Sequence, residues 1–215
     1  MSRPTLALAL LSAFVIAPAS GQRDSGTFII HDFRFASGET LPELHLYYRT
    51  LGRPRRDADG VVRNAVLILH GTGGTGAQFL SPLFTPLYRA GGPLDTTTTY
   101  IILPDDVGHG RSSKPSDGLR ARFPHYGYQD MVILEYRLVT EGLHVDHLRI
   151  VMGTSMGCMH SWIWAERYPA FMDGVVPLAC IPTQIAGRNR MMRKMILDDI
   201  RGDSAWHGGD YAAQP

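Results

Sequence analysis

Short apolar runs recur along the chain and predict the strands of a sheet. Four of them are almost entirely apolar, at residues 65–69, 100–103, 148–152 and 174–179. A strand covered by helices on both faces needs apolar side chains on both, so these runs are typical of parallel strands. Two earlier runs lie at residues 28–30 and 44–49, and the second alternates in polarity as a half-exposed antiparallel strand does.

Segments with apolar residues at helical spacing separate these runs. The spacing is clearest over residues 128–143, and a second helix is expected over residues 156–168, directly after the third run. Alternating strands and helices predict an α/β fold with a mostly parallel sheet, preceded by antiparallel N-terminal strands. Sheets of this kind carry their functional sites at the carboxyl ends of the strands.

The N-terminus has the pattern of a secretory signal peptide. Arg3 precedes an apolar run at residues 6–17, and small residues follow at 18–21. The run is too short to span a bilayer, which takes roughly 20 residues. Residues 1–19 are therefore expected to be removed, which leaves residues 20–215 as an exported, periplasmic or secreted protein with no stable membrane insertion. A buried N-terminal helix is the alternative.

Composition narrows the function classes. The 215 residues suffice for one domain with a substantial core, and a net charge of +1 gives no field that favours nucleic acid. The sequence has no metal-binding signature and no dinucleotide fingerprint, and the glycine-rich residues 72–76 lack the lysine of a phosphate-binding loop. Neither a cofactor nor a metal is therefore expected. Asp105 and Asp106 are interpreted as turn-forming residues. Cys158 and Cys180 are interpreted as small core residues, although an oxidising compartment would permit a bond between them.

The third apolar run leads into a turn that can carry a nucleophile. Residues 153–157 read Gly-Thr-Ser-Met-Gly and match the pattern G-x-S-x-G, in which a serine stands on a strained strand-to-helix turn. Side chains at Gly153 and Gly157 would collide with neighbouring backbone, and glycine removes that collision. Ser155 is therefore the predicted nucleophile. The alternative is a serine that only caps the helix.

A second loop is placed to stabilise negative charge. His70, Gly71 and Thr72 follow the first of the four apolar runs, where a glycine-rich loop supplies an oxyanion donor in serine enzymes of this kind. We expect the backbone N–H groups of Met156 and Thr72 to form the oxyanion hole. One such donor contributes about 2.7–4 kcal/mol to the transition state.

Several segments carry a family resemblance. They are DMV at residues 130–132, GTSMGCMH at 153–160, WAERYPAFMDGVV at 164–176 and WHGGDY at 206–211. With them the chain resembles the α/β-hydrolase fold, and within it the homoserine O-acetyltransferase-like group, over roughly residues 25–215. Cys158 stands where that group usually has glycine, and Glu135 where it has glutamine. Residues 71–73 replace its usual Ala-Leu-Thr, which argues against homoserine as the specific acceptor.

The resemblance implies a catalytic acid and then a histidine well after Ser155 along the chain. Only His160 and His207 follow it. His160 lies five residues along the same helix and is expected to point away, while His207 lies in a lid region that is expected to begin near residue 185. His70 and His109 are interpreted as structural. The triad acid and base are therefore expected to be absent, with the C-terminal part of the fold missing and the chain inactive by itself.

The sequence favours a serine enzyme that hydrolyses an ester or a related small acyl substrate. An O-acetyltransferase acting on a homoserine-like hydroxyl is one alternative, and a non-catalytic truncated binding protein is another. A basic, methionine-rich helix is expected over residues 187–201, either as a surface or lid helix or as a binding surface for an anionic or apolar acyl group. No nucleic-acid partner is expected, and a homodimer is possible.

Overall fold

A computed structural model describes residues 23–211 of the chain, so the predicted signal peptide lies outside the described residues. Six strands form one sheet in the order β1-β2-β4-β3-β5-β6. Their bounds are β1 Arg23–Arg34, β2 Thr40–Leu51, β3 Ala65–Leu69, β4 Tyr100–Pro104, β5 Leu148–Thr154 and β6 Val175–Leu178.

The N-terminal strands form a long antiparallel hairpin. β1 and β2 have 12 residues each and pair along almost their whole length, and β2 then pairs antiparallel with β4. The predicted antiparallel strands are confirmed, but both are much longer than their apolar runs. Most of β1 is exposed, and its backbone hydrogen bonds to β2 extend the strand through polar residues that carry no apolar signal.

The centre of the sheet is parallel, as predicted. β3 pairs in parallel with β4 and with β5, and every residue of β3 and β4 is buried. Alternate side chains of β3 serve two separate layers. Leu67 packs with Val132 and Trp164 on one face, while Ile68 packs with Phe79 on the other.

Residues 23–211 also form four α-helices. They are α1 Thr85–Tyr88, α2 Tyr128–Arg137, α3 Met156–Arg167 and α4 Gly187–Gly202. The helix predicted over residues 128–143 is present, but its last turn, Leu138–Gly142, is a π-helix. Leu138 and Val139 remain fully buried in that wider turn. No helix among the described residues is long and apolar enough to cross a membrane.

The C-terminal part of the described chain packs least. β6 pairs with β5, and along residues 23–211 no strand pairs with its outer edge. Its residues are half-buried to exposed, whereas the sequence predicted a strand covered on both faces. The side chains of β6 are less buried than expected because, within the described residues, the sheet ends at this strand. No residue of α4 is buried, and the apolar side chains along it are about half exposed, namely Met191, Met192, Met195, Ile196 and Leu197.

Truncation of a central side chain tests the two-layer core. Leu67 is fully buried in β3, so we expect Leu67→Ala to lower the free energy of unfolding by about 2–5 kcal/mol through lost burial and a cavity. Leu83 is 80% exposed, and Leu83→Ala should change stability by less than about 0.5 kcal/mol. Denaturant unfolding of both variants measures the contrast, and equal effects would contradict the assigned core.

Candidate active site

Ser155 stands at the turn between β5 and α3. Its φ is +54°, a left-handed conformation that residues with a side chain rarely adopt, and the residue is exposed. It occupies the position before the first helical residue, yet its side chain makes no capping hydrogen bond. This geometry is that of a strained turn that presents a hydroxyl, and it does not support the helix-cap alternative.

Two glycines make the turn possible by letting backbone approach backbone. A Cβ on Gly153 would overlap the carbonyl oxygen of Gly157, and a Cβ on Gly157 would overlap the carbonyl oxygen of Leu69 at the end of β3. The G-x-S-x-G spacing is thus explained by two sets of contacts. One lies within the turn at residues 153–157, called the elbow below, and the other lies between α3 and the neighbouring strand.

The loop after β3 lies beside the serine. A Cβ on Gly71 would sit 3.4 Å from the Cβ of Ser155, and the N–H of Gly157 donates to the carbonyl oxygen of His70 at 3.0 Å. Met156 is the first residue of α3, where N–H groups have no partner within the helix. Thr72 is exposed and shares a cavity with Ser155 and Met156. Their roles as oxyanion donors stay predictions.

The His70 side chain joins the loop after β3 to the loop after β4 by hydrogen bonds. The Asp106 N–H donates to His70 Nε2 at 3.1 Å, so the ring is the tautomer whose Nδ1–H donates to the Gly71 carbonyl at 2.9 Å. The His109 ring lies 5.0 Å from the His70 ring. Neither histidine lines the cavity at Ser155. Both are placed as structural groups.

Asp105 braces the neighbouring loops. Its buried carboxylate pairs with Arg49 at 2.8 Å and accepts the N–H groups of Gly76 and Arg111. These contacts place Asp105 in the turn-forming role that the sequence indicated, whereas Asp106 belongs to a different group of side chains.

The cavity in front of Ser155 has a volume of about 460 Å³ and continues into an apolar groove of about 780 Å³. Its wall includes Met159 of α3 and Ile181 and Ile185 of the loop after β6. Among residues 23–211, no histidine and no carboxylate lines it. His207 is exposed in the 3-10 segment Ser204–Gly209 and does not border the cavity. The described residues around Ser155 thus offer no general base.

A cluster of buried polar side chains lies beneath the elbow and was not predicted from the sequence. His160 points away from Ser155, as expected, and its Nδ1 lies 2.7 Å from Glu135 Oε1. Trp164 donates its Nε1–H to Glu135 Oε2 at 2.6 Å. Neither carboxylate oxygen of Asp106 has a hydrogen-bond partner within the described chain, and Asp106 Oδ2 lies 3.6 Å from His160 Nδ1. The replacement of a usual glutamine by Glu135 was the one sequence signal for this cluster.

Burial dominates the electrostatics of the cluster. It raises the pKa of Glu135 to about 7, and together with repulsion from Glu135 it raises the pKa of Asp106 to about 7. Burial also lowers the pKa of His160. Two carboxylates this close inside a protein repel each other, so the pair keeps a proton that exposed carboxyls lose.

The same side chains are the candidate metal ligands of the described region. Ligand atoms of Asp106, Glu135 and His160 lie within 4.8 Å of one another. Glu135 Oε2 accepts from Trp164, and Glu135 Oε1 is hydrogen-bonded to His160 Nδ1, so a metal ion would have to replace the contact with His160. A single proton retained by the carboxyl pair, here called the shared proton, leaves both contacts of Glu135 in place, whereas a metal ion would break one of them.

The interpretation of the two cysteines as unpaired core residues is wrong. Cys158 and Cys180 form a disulfide, with their Cα atoms 5.9 Å apart. Cys158 is buried, as the sequence suggested. The pairing depends on the loop after β6 returning over the start of α3, a geometry that a separation of 22 residues does not reveal.

Substitution of an elbow glycine tests the close approach. We expect Gly157→Ala to lower the free energy of unfolding by about 1–3 kcal/mol or more, because its Cβ would overlap the backbone of β3. A Cβ on Gly174 meets nothing within 4 Å, so Gly174→Ala is the matched control and should change stability by less than about 0.5 kcal/mol. Thermal unfolding measures both variants. A Gly157→Ala variant as stable as the control would contradict the close contact between α3 and β3.

The buried carboxyl pair predicts a pH dependence of stability. A carboxyl whose pKa is raised on folding contributes stability at low pH that is lost as pH rises through about 7. Glu135→Gln removes this loss, so its stability relative to wild type should increase between pH 5 and pH 8, by up to roughly 3 kcal/mol. Burial lowers the pKa of His160, so its protonation destabilises the wild-type fold as pH falls below about 6.5.

The control for that experiment is Glu141→Gln. Arg137 lowers the pKa of Glu141, so the stability that this carboxyl contributes is lost only as pH falls below about 4.5, and Glu141→Gln should leave the profile between pH 5 and pH 8 parallel to that of wild type. Urea unfolding from pH 5 to pH 8 measures both variants. A Glu135→Gln profile parallel to wild type would rule out the shared proton.

Comparisons with known proteins agree with this architecture. A family model described as alpha/beta hydrolase fold matches residues 64–210. A probable acyltransferase of Methanothermobacter thermautotrophicus is 32% identical over 185 residues, which cover 85% of this chain and 56% of that protein. A homoserine O-acetyltransferase of Chloroherpeton thalassium is 30% identical over 188 residues, which cover 82% of this chain and 47% of that protein.

Among solved structures, the acetyl esterase MekB matches with a TM-score of 0.76 and 25% identity over 88% of this chain and 54% of that one. The chain therefore spans about half the length of the relatives it matches. Because the family model covers more than half of the chain and agrees with the observed sheet, the chain belongs to the α/β-hydrolase fold family.

Proposed function

We propose that Ser155 is the nucleophile of an acyl-transfer enzyme that hydrolyses an ester or a related small acyl substrate. The observation that carries this proposal is the exposed, positive-φ serine at a strand-to-helix turn, facing a cavity that it shares with Thr72 and Met156. Relatives named acyltransferase and acetyl esterase support acyl chemistry as the class of reaction.

In the proposed reaction the Ser155 hydroxyl oxygen attacks the acyl carbon while its proton passes to a base. Two N–H groups stabilise the negative charge that develops on the carbonyl oxygen. One is that of Met156, at the N-terminus of α3, and the other is that of Thr72, on the loop after β3. The carbon–oxygen bond of the ester then breaks, and the leaving alkoxide takes up a proton as the alcohol. Water releases the acyl group from Ser155 in the second half of the reaction.

The proposal places the base outside the described residues. The cavity at Ser155 contains no histidine from residues 23–211, and the matched part of this chain covers 56% and 47% of the two relatives. A serine without an adjacent base is a weak nucleophile at neutral pH. Activity of the whole protein thus requires polypeptide beyond the part described here to deliver an acid–histidine pair to this cavity.

Transfer of an acetyl group to an amino-acid hydroxyl is the second candidate. Relatives named homoserine O-acetyltransferase that are at least 30% identical favour it. The proposed export of the protein favours water as the acceptor, because an exported enzyme would not normally meet acetyl-CoA. The partition of the acetyl group of p-nitrophenyl acetate between homoserine and water separates the two candidates.

Chemical rescue tests the nucleophile in the chain as it exists. Imidazole is small enough to enter the open cavity and to act as the absent base. With p-nitrophenyl acetate and imidazole, we expect an acetyl group on the peptide that contains Ser155, identified by mass spectrometry. After subtraction of the hydrolysis that imidazole causes without protein, the rate of p-nitrophenol release by the wild type should exceed that of Ser155→Ala by at least about tenfold. A positioned base would give about 100-fold or more.

The control is Ser116→Ala, which removes another exposed hydroxyl and should leave the acetylation unchanged. Equal rates in wild type and Ser155→Ala, with no acetyl group at Ser155, would favour the non-catalytic alternative. Turnover without imidazole that depends on Ser155 would instead show that the chain already contains its base.

A further inference from the structure

The disulfide joins the two sides of the Ser155 cavity. Cys158 lies in the first turn of α3, three residues after Ser155, and is buried. Cys180 lies on the loop after β6 and lines the cavity itself. The bond thus connects the helix that positions the nucleophile to the opposite wall of the cavity.

Within residues 23–211, few other contacts hold that wall. Residues 179–186 form it, and α4, which follows, has no buried residue. The loop is anchored at its start, where the Ser155 N–H donates to the Leu178 carbonyl at 3.0 Å. Ala179 then adopts φ +61°, a conformation unfavourable for a residue with a side chain. A loop that starts in a strained conformation beside an open sheet edge needs a tether to keep one position.

The two sulfurs differ in access. Cys158 is 1% exposed, whereas Cys180 is partly exposed and borders the cavity. A small thiol can therefore reach the Cys180 sulfur through the cavity that the acyl substrate would occupy. Exposed disulfides are the ones that exchange with external thiols most readily.

We propose that the Cys158–Cys180 disulfide is a redox-sensitive clamp that holds residues 179–186 as the wall of the acyl pocket. This inference rests on the proposed function only in naming the cavity an acyl pocket. With the disulfide formed, Ile181 and Ile185 stand opposite Ser155 and complete the apolar side of the cavity. With the disulfide reduced, the loop and α4 move away and the pocket opens.

The chemistry requires an external dithiol. One of its thiolates attacks the Cys180 sulfur, and the sulfur–sulfur bond breaks to release the Cys158 thiolate, which takes up a proton. The second thiol of the reagent then displaces Cys180 from the mixed disulfide and closes the reagent's own disulfide. Two electrons and two protons pass from the dithiol to the protein, so both cysteines end as thiols.

Hydrogen exchange of the full chain tests the clamp without any catalytic readout. After reduction with dithiothreitol, we expect amide exchange to rise roughly tenfold or more over residues 178–202 and at the Ser155 amide. Exchange in β3 and β4, at the centre of the sheet, should not change. Cys180→Ser should show the same pattern without reductant, and the double variant Cys158→Ala, Cys180→Ala should not respond to dithiothreitol.

A uniform rise over the whole chain, or no rise over residues 178–202, would overturn the clamp. The first result would make the disulfide a general stabiliser of the fold, and the second would leave the wall held by other contacts. Thiol titration in denaturant without reductant must show no free thiol in the wild type, and two free thiols there would overturn the proposal directly.

A second arm separates this inference from the proposed function. An uncleavable ester analogue, 4-nitrophenyl butyl ether, should slow the reduction of the disulfide by about fivefold or more when it fills the acyl pocket, because it blocks access to Cys180. Local exchange that rises on reduction, together with a reduction rate that the analogue leaves unchanged, would support the clamp and contradict an acyl pocket at this place.

Discussion

The contact of α3 with the end of β3 is the constraint on which the rest of the site depends. The backbone of Gly157 lies against the Leu69 carbonyl so closely that no side chain fits between them. This approach lets the Gly157 N–H bind the His70 carbonyl and brings the loop at Gly71 beside Ser155. A larger separation would move the helix N-terminus, the serine and the loop apart together. The positive φ of Ser155 is tolerated because these contacts fix the residues on both sides of it.

Beneath this contact the fold contains a group of buried ionisable side chains. Glu135 binds His160 and Trp164, both on α3, so α2 and α3 are joined by hydrogen bonds as well as by apolar packing. Asp106 connects the cluster to the loop after β3 through His70. Buried carboxyls lower stability unless they are protonated or well bonded. The cluster lies one helical turn and more after Ser155 along α3, at the contact between α2 and α3.

The sequence predicted the parallel strands and the elbow because each is specified locally. Continuous apolar runs identify strands buried on both faces, and two glycines around a serine identify a turn with close backbone contacts. The sequence did not predict the length of the hairpin, because polar residues become part of β1 through backbone pairing with β2. It missed the cluster of Asp106, Glu135 and His160, whose members lie on three separate segments. It also missed the disulfide, because pairing depends on where the loop after β6 returns.

The two halves of the candidate site are stabilised to very different degrees. The side that carries Ser155 is held by buried strands, close glycine contacts and a bonded polar cluster, so its geometry follows from the core itself. The opposite wall follows an open sheet edge and precedes a helix without a buried residue, and few contacts within the described chain fix its position. A covalent bond is effective in such a place because it acts at one point and does not require an extended packed surface. The core therefore fixes the position of Ser155, whereas the opposite wall is joined to it at two points, the hydrogen bond from the Ser155 N–H to the Leu178 carbonyl and the Cys158–Cys180 bond.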